Sequence, residues 1–314
     1  MQGRILKGVG SFYTVQGENG AVVCKARGRF RKEGLVPVPG DWVDYDVGAD
    51  ENGYLLQIHP RRNLLTRPAV SNIDRLFIVL SASQPEMDLL LCDKLLLQCA
   101  SRSIQPILVC NKCDDGPEES YIELAAQYKP AGYAVLPVSA KTGYGIPEII
   151  KRMEGCVCCF AGQSAVGKSS LLNCILPDLT LEVGDLSRKT ARGRHTTRHA
   201  ELFPAFGGAV VDTPGFSLFD MAPMEPQELA GLYPEMAAVK QDCRFPGCLH
   251  ITEPDCAVKP LLETGGLQLL KGGGVLRQVH GFKRHTQLGE LALGGIALRA
   301  MRLGEHGDGH GDSP

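Results

Sequence analysis

The sequence predicts an α/β domain that follows a small all-β domain and precedes a mostly helical, cysteine-containing one. Three observations lead to this prediction. Residues 1 to about 65 contain short strands of alternating apolar residues, separated by Gly, Pro and Asp turns. From Leu76 onward, apolar strands alternate with helical segments, a pattern typical of a parallel sheet. After about residue 220 the pattern becomes helical and then rich in cysteine.

The composition limits the class of protein. The chain has 314 residues, of which 44% are hydrophobic and 22% are charged, as in a folded protein with two or three domains. No apolar run reaches the ~18 residues of a membrane-spanning helix, and the first residues lack the apolar core of a secretory signal. We therefore expect a cytoplasmic protein with no membrane partner. Because the net charge is only −2, any nucleic-acid binding must come from local basic patches.

The predicted all-β domain has four or five strands, among them SFYTVQ, AVVCKARGRF, DWVDYDV and YLLQIHP. This series predicts a small barrel of OB-like or SH3-like type, and periodicity does not choose between the two. Lys25, Arg27, Arg29 and Arg31 recur at every second position, so we expect them on one face of a strand. A second basic patch covers residues 187–199. Either patch alone fits a solvated face as well as a nucleic-acid contact.

The α/β segment carries polar motifs directly after its strands. The predicted strands are LFIVLSAS, PILVCN, YAVLPVSA, CVCCFAG, AELFPAF and AVVDTPG, and the predicted helices are LLLCDKLLLQCA, ESYIELAAQYK, IPEIIKRM and SSLLNCIL. The ends of the strands are where ligands bind in open α/β sheets. The chemistry of the site is therefore expected in the motifs at these ends.

The stretch GQSAVGKS follows a strand and begins a helix, which is the context of a phosphate-binding P-loop. Its glycines let backbone N–H groups surround phosphate oxygens. Lys168 adds a positive charge for the β- and γ-phosphates, and the Ser169 hydroxyl is placed for Mg²⁺. The predicted phosphate-binding residues are Gly162, Gln163, Ser164, Ala165, Val166, Gly167, Lys168, Ser169 and Ser170.

The stretches NKCD and SAKTG point to guanine as the base. The Asp114 carboxylate can accept hydrogen bonds from guanine N1–H and the exocyclic amine, whereas adenine would leave it unmatched, a difference of about 10⁴-fold in discrimination. Asn111 would lie near the guanine O6/N7 edge and help to hold neighbouring loops, the Lys112 stem would cover the ring, and Ala140 N–H would meet O6. The predicted base-binding residues are Asn111, Lys112, Cys113, Asp114, Ser139, Ala140 and Lys141.

Two further stretches complete the predicted nucleotide site. In DTPG, Asp212 would hold Mg²⁺ through water and Gly215 would offer its N–H to the γ-phosphate. GRHTTRH supplies Thr196 and Thr197 as candidate sensors of Mg²⁺ and γ-phosphate. The spacing does not decide between them, and we assign Thr197, with Ser169, as the magnesium ligand and Thr196 as a nucleotide contact.

The catalytic residues are harder to predict. Phe216 stands where many GTPases have a water-positioning glutamine, so we expect a low intrinsic rate. His195 is a candidate for positioning the attacking water, with Lys168 and Thr197 as the other catalytic residues. The alternative is that His195 only joins the basic patch on RNA.

A fourth group of residues has the spacing of a metal site. Cys243, Cys248, His250 and Cys256 form C-x4-C-x-H-x5-C, and four such ligands suit a tetrahedral, structural Zn²⁺. The alternative is coincidence, because the chain has 12 cysteines. Most of the others lie in apolar strings, where we expect small buried side chains.

The order of the nucleotide motifs is rearranged. They run NKCD, SAKTG, P-loop, GRHTT and DTPG, whereas an ordinary GTPase begins with the P-loop and ends with SAK. One cyclic cut converts one order into the other, and it preserves the sheet because domain termini often lie close together. The predicted fold is therefore a circularly permuted P-loop GTPase domain with an N-terminal OB-like barrel and a C-terminal, mostly helical zinc-binding domain. The cut falls just after DTPG, so we expect the nucleotide state to reach the C-terminal domain.

This combination resembles the RsgA (YjeQ) family of small ribosomal subunit biogenesis GTPases. The matching stretches are VPGDWVDY, RPAVSNID, NKCD, SAKTG, GQSAVGKSSLLN, GRHTT, DTPGF and CRFPGCLHITEPDCAVK, and they cover about residues 3–259. The resemblance implies an OB-fold RNA-binding domain over 1–66, a GTPase domain over 67–220 and a zinc-binding domain over 221–300. We expect a disordered tail over 301–314.

The resemblance also implies a function. It predicts a cytoplasmic, monomeric enzyme that binds GTP/GDP, Mg²⁺ and one Zn²⁺, contacts the small ribosomal subunit and its rRNA, and hydrolyses GTP on stimulation by the subunit. Two alternatives stay open. One is a nucleotide-dependent RNA-binding scaffold with negligible hydrolysis, which Phe216 favours and which Lys168, Ser169 and Asp212 disfavour. The other is a permuted GTPase of the large subunit, against which the barrel and the Cys/His group argue.

Overall fold

The computed structural model describes residues 1–48, 53–66, 68–177, 200–212, 226–250 and 253–260. The chain divides into two compact units, one formed by Met1–Ala126 and Tyr133–Asp220, the other by Gln127–Gly132 and Met221–Pro314. The predicted limits of the four sequence segments stay predictions, because residues near several of these limits lie outside the described ranges.

The first unit begins with a closed β-barrel. Its elements are β1 (Gln2–Val9), β2 (Phe12–Gly17), β3 (Gly20–Ala26), α1 (Gly28–Lys32), β4 (Trp42–Val47) and β5 (Gly53–Ile58). The strand order is β1-β2-β3-β5-β4, and β1 also pairs with β4, which closes the barrel. Inward side chains alternate along the strands and form one apolar core, which includes Ile5, Tyr13, Val15, Cys24, Phe30, Val43, Tyr45 and Leu55. The predicted N-terminal barrel is therefore confirmed.

The prediction of one strand over residues 21–30 is wrong in its second half. β3 ends at Ala26, and Gly28–Lys32 form α1. The reason is the position of Phe30, whose side chain is only 3% exposed and packs into the barrel core. Gly28, the first residue of α1, weakens a continued strand, and the helical turn that follows places the ring of Phe30 in this core. Lys25 therefore lies on β3, whereas Arg27, Arg29 and Arg31 come after the end of this strand.

The rest of the first unit is an α/β sheet. Its strands are β6 (Leu64–Thr66), β7 (Ala69–Ser71), β8 (Arg75–Ser81), β9 (Gln105–Asn111), β10 (Val135–Pro137), β11 (Val157–Ala161), β12 (Glu201–Ala205) and β13 (Gly208–Asp212). Its helices are α2 (Leu89–Ser101), α3 (Glu118–Tyr128), α4 (Ile146–Met153) and α5 (Lys168–Ile175). The last two residues of α3 and the 3₁₀ turn over Lys129–Ala131 belong to the second unit. β6 and β7 form a separate two-stranded ribbon.

The strand order explains how a permuted chain keeps its sheet. In the described residues the order is β10-β9-β8-β11-β13-β12. β10, β9, β8, β11 and β13 pair in parallel, and β12 joins β13 as an antiparallel hairpin. The strand that precedes the P-loop thus lies in the middle, beside both the first strand of the segment and the strand of DTPG. At its centre the rings of Phe77 and Phe160 stack with centroids 4.8 Å apart.

The barrel and the α/β part share one sheet. Lys7 of β1 pairs with Glu201 of β12, and their side chains form an ion pair with Nζ and Oε1 2.9 Å apart. The register of β1 against β2 shifts between Ile5 and Lys7. Such a bulge bends a strand, so β1 closes the barrel with its first half and reaches β12 with its second. The described strands thereby form an eleven-stranded sheet.

A buried carboxylate reinforces this connection. Asp41 is fully buried, and its oxygens accept hydrogen bonds from Arg61 Nε at 2.7 Å, Arg61 Nη2 at 2.8 Å, Ser71 Oγ at 2.6 Å and Val38 N at 2.8 Å. A buried charge that is paired and fully hydrogen-bonded is tolerated, and breaking such a pair is costly. The network therefore fixes the barrel loop to the chain that leads into β8.

The second unit contains two short helices before the Cys/His group. They are α6 (Pro226–Leu232) and α7 (Pro234–Val239), and a 3₁₀ turn follows over Lys240–Asp242. Tyr233 and Met236 are buried within it. None of the helices described in either unit combines the length and the apolar character needed to cross a lipid bilayer.

Candidate guanine-nucleotide and metal sites

The predicted P-loop connects the end of β11 to the start of α5. Gly162 and Gly167 have φ angles of 143° and 93°, in the region that favours glycine. A Cβ on Gly162 would lie 2.2 Å from the Val79 carbonyl oxygen of the neighbouring strand, so no larger residue fits. Lys168 Nζ donates to the carbonyls of Gly162 at 2.8 Å and Gln163 at 2.6 Å. The loop thus curls around a positive charge, as a polyphosphate site requires.

The base motif is joined to the P-loop by direct hydrogen bonds. Asn111 is 1% exposed; its Nδ2 donates to Val166 O at 2.8 Å, and its Oδ1 accepts from Ala140 N at 3.2 Å. Lys112 Nζ donates to Ala165 O at 2.7 Å. Asn111 therefore connects all three predicted loops, and the stem of Lys112 bridges two of them.

The carboxylate of Asp114 is held by the SAKTG loop. Ser139 Oγ donates to Asp114 Oδ1 at 2.6 Å, and Lys141 Nζ lies 3.6 Å from Oδ2. The hydrogen bond from Ser139 is the main reason that the pKa of Asp114 is lowered, and the charge of Lys141 adds to the effect. Thr142 N in turn donates to Ser139 Oγ at 3.1 Å, which fixes the hydroxyl. The arrangement keeps an ionised, oriented acceptor at the predicted base position.

The remaining predicted nucleotide residues are placed only in part. Asp212 is the last residue of β13, and β13 pairs in parallel with β11 through Cys159 and Val211. Its backbone therefore reaches the sheet edge that carries the P-loop. Ser164, Ser169 and Ser170 lie in the loop and the first turn of α5. His195, Thr196, Thr197, Gly215 and Phe216 lie outside the described residues, as does the basic patch 187–199.

The four predicted metal ligands of the second unit do come together. The ligand atoms of Cys243, Cys248, His250 and Cys256 all lie within 4.8 Å of one another. His250 Nδ1 is 3.4 Å from Cys256 Sγ and 3.6 Å from Cys243 Sγ, and the two sulfurs are 4.0 Å apart. Tetrahedral Zn²⁺ with its usual Zn–S and Zn–N lengths would separate ligands by about 3.5–3.8 Å. The donors and the size of the cluster therefore fit a metal ion such as zinc.

The electrostatics of the cluster are compatible with metal binding. Burial raises the pKa of the Cys248 thiol to about 11, so a thiolate there needs a neighbouring positive charge. Burial lowers the pKa of His250, which favours the neutral imidazole that binds metals.

Some contacts of the site have no signal in the sequence. Lys112 Nζ also donates to the Gln84 carbonyl at 2.6 Å, and Gln84 follows β8 in a loop that carries no recognised motif. Asp74 precedes β8; its carboxylate accepts from Val157 N at 2.8 Å, at the start of the P-loop strand. Both contacts depend on backbone groups, which no pattern of side chains reveals.

Comparison with known proteins agrees with this geometry. A family model described as the RsgA GTPase matches residues 58–222, and one described as the RsgA N-terminal domain matches residues 2–55. A protein of Geobacillus sp. (strain WCH70), named small ribosomal subunit biogenesis GTPase RsgA, is 40% identical over 267 residues, which cover 84% of this chain and 91% of that one. A relative of the same name from Shouchella clausii (strain KSM-K16) is 38% identical and covers 89% of this chain and 96% of its own.

Two solved structures resemble the chain. The crystal structure of YjeQ from Thermotoga maritima has a TM-score of 0.76 at 33% identity and covers 89% of this chain and 98% of that one. The structure of YloQ, described as a circularly permuted GTPase, has a TM-score of 0.73 at 34% identity and covers 90% of this chain and 96% of that one. The predicted fold class is thereby confirmed, and family membership implies GTP/GDP and Mg²⁺ as bound groups. The chain belongs to the RsgA GTPase family, and it is a GTP hydrolase with a permuted domain.

Proposed function

We propose that this GTPase binds the small ribosomal subunit, assists its late maturation in the cytoplasm as a monomer, and hydrolyses GTP when the subunit stimulates it. The observation that carries the proposal is the direct bonding of Asn111 and Lys112 to the carbonyls of Val166 and Ala165. Because these bonds join the base motif to the phosphate loop, base identity and phosphate binding belong to one pocket. The partner is suggested by relatives that are named for small-subunit biogenesis.

Within this pocket we assign each residue a role. Asp114 accepts hydrogen bonds from guanine, and Ala140 offers its N–H to O6. The P-loop from Gly162 to Ser170 surrounds the phosphates, with Lys168 as the charged contact. Ser169 and Thr197 would hold Mg²⁺ and Asp212 would reach it through water. When bound, magnesium would neutralise charge on the β- and γ-phosphates.

The barrel supplies a surface suited to single-stranded RNA. Register places Phe12 opposite Lys25 and Lys25 opposite Tyr54, so these three side chains lie in one row across β2, β3 and β5. Phe12 is 53% and Tyr54 36% exposed, and Lys25 is exposed. Two rings beside a cation can stack bases and neutralise a phosphate. We assign rRNA contact to this row, defined here as the barrel row.

The barrel row can be tested by binding. Phe12→Ala combined with Tyr54→Ala should weaken binding to single-stranded RNA by about tenfold or more, because each stacked base contributes ~1–3 kcal/mol. Ile122→Ala on α3 removes a side chain of similar exposure away from the row and serves as the control. Equal affinity of the double variant and the wild type would remove the barrel row from the proposal.

Hydrolysis assays test the whole proposal. GTP turnover is measured with isolated small subunits, isolated large subunits and neither, at one salt concentration, because binding to RNA depends strongly on salt. We expect stimulation by small subunits alone. Stimulation by large subunits would support the alternative of a large-subunit enzyme. A low rate of hydrolysis in all three assays, which Phe216 favours, would support the alternative of an RNA-binding scaffold.

The role of His195 has a separate test. His195→Ala should abolish the stimulated rate and leave nucleotide affinity unchanged, because we assign the imidazole to the attacking water. If the variant is stimulated like the wild type, the catalytic role is excluded and contact with RNA becomes the better assignment.

A further inference from the structure

Two cysteines bracket the base-recognition turn of the nucleotide pocket. Cys110 is the last residue but one of β9 and is fully buried, whereas Cys113 is partly exposed. The Cys113 thiol lies against the Cys110 residue: Cys113 Sγ donates to the Cys110 carbonyl oxygen at 3.1 Å, and the neighbouring Cys113 contributes, after burial, to the raised pKa of Cys110. The two thiols are therefore neighbours in a C-x-x-C segment that is part of the site itself.

The turn between these cysteines carries the contacts that shape the pocket. Asn111 and Lys112 lie between them and Asp114 follows directly. Lys112 has a φ of 62°, in the left-handed region that a residue of this type adopts only under local constraint. A disulfide has a fixed S–S length of about 2.05 Å and a preferred dihedral. Closing one here must draw Cys113 toward β9 and so move Lys112 and Asp114.

The thiols differ from those of catalytic C-x-x-C motifs. Burial raises the pKa of Cys110 and, as the largest cause, that of Cys113 as well. Both are thiols at neutral pH and react slowly, since the thiolate is the nucleophile. The pair is thus unsuited to rapid disulfide exchange and suited to a response to sustained oxidant.

We propose that Cys110 and Cys113 form a reversible disulfide that weakens guanine-nucleotide binding, which makes this pocket a target of peroxide. The proposal rests on the proposed nucleotide function. The sulfur of Cys113, the accessible partner, attacks one oxygen of hydrogen peroxide; the O–O bond breaks, and the leaving oxygen takes up a proton to become water. The sulfur of Cys110 then attacks the resulting sulfenic acid, the S–O bond breaks and a second water leaves. Two thiols lose two electrons and two protons, and one peroxide becomes two waters.

The experiment measures disulfide and affinity on the same samples. The full chain is treated with hydrogen peroxide, and part of each sample is digested for mass analysis of the peptide that contains residues 110–113. The rest is titrated with fluorescent GDP before oxidation, after oxidation and after addition of dithiothreitol. We expect loss of two hydrogens in that peptide, GDP binding weakened by about tenfold or more, as when a hydrogen bond to a charged group is lost, and recovery with the reductant.

Cys110→Ala is the control, because it removes one partner without touching a residue assigned to the nucleotide. Reduced, it should bind GDP like the wild type, and oxidation should leave that binding unchanged. The inference is overturned if the peptide keeps two free thiols, if the disulfide forms without loss of affinity, or if the variant loses affinity on oxidation as the wild type does. The wild-type measurement decides on its own if the variant does not fold. Failure of the reduced wild type to bind GDP would instead refute the proposed function.

Discussion

At the scale of single residues, the pocket depends on close approaches that leave no room for substitution. Gly167 precedes α5 with a positive φ, and a Cβ there would lie 2.4 Å from Asn111 Nδ2. The amide of Asn111 needs that space to reach Val166 O. The amide of Asn111 therefore packs so closely against the P-loop that position 167 has room only for hydrogen.

Gly167→Ala should therefore lower GTP affinity more than backbone strain alone predicts. A left-handed conformation costs an alanine about 1–2 kcal/mol, and the new methyl group must also displace Asn111. Gly155→Ala is the matched control, because Gly155 has a φ of 66° with open space around its Cβ position. Both variants should lose stability in thermal unfolding, Gly167→Ala more than Gly155→Ala, and only Gly167→Ala should lose GTP binding in calorimetry. Equal GTP affinity in the two variants would contradict this account.

Ser139→Ala tests how the carboxylate of Asp114 is held. The variant loses the 2.6 Å hydrogen bond that chiefly lowers the pKa of Asp114. Its GTP affinity should fall by about tenfold, as expected for a bond to a charged group. GTP binding needs the ionised carboxylate of Asp114. Because the pKa of Asp114 is lowered in the wild type, GTP binding persists to lower pH and is lost as the pH falls through that pKa. In the variant the loss should occur at higher pH, measured by GTP titration across the acidic range.

At the scale of secondary-structure elements, local motifs were predictable and non-local packing was not. The residues of NKCD, SAKTG and the P-loop are recognisable because their chemistry depends on spacing within a few positions. The helix α1 was missed because its formation depends on the packing of Phe30 into a core that strands before and after it share. The pairing of β1 with β12 was missed for the same reason, since neither strand carries a signal for the other.

The Cys/His element offers a prediction of its own. Cys256→Ser should remove bound zinc and unfold the segment around α7, because the free energy of metal binding is also that of folding in small metal sites. GTP binding should be retained, since the nucleotide residues belong to the other unit. Cys174→Ser, which changes an exposed cysteine of α5, is the control. The measurements are the zinc content by mass spectrometry and hydrogen exchange over residues 240–260. A wild-type protein that is purified without zinc would refute the assignment of the metal.

At the scale of the whole molecule, permutation changes which part of the chain follows the strand that carries Asp212. The strand β13 ends at Asp212, and the chain runs from there into the second unit. In the unpermuted order the same strand would lead back into the sheet. The sequence revealed this order fully, because it depends only on the succession of motifs.

We therefore expect the nucleotide to alter the second unit. Hydrogen exchange of peptides within 226–260 should differ between the GDP complex and the complex with a GTP analogue, because Gly215, which we assign to the γ-phosphate, precedes the second unit along the chain. Peptides of the barrel core, such as those containing Val15, provide an internal reference. Identical protection of the second unit in both complexes would show that the nucleotide state does not affect this unit.

The pairing of Lys7 with Glu201 joins residues 194 positions apart, and this has a consequence for how the chain is made. Translation releases β1 long before β12, and domains generally fold in that order during synthesis. The finished barrel then offers its free β1 edge as a template for the β12–β13 hairpin. A chain that lost its first nine residues would leave the barrel unclosed and β12 uncovered, and exposed strand edges of this kind promote aggregation.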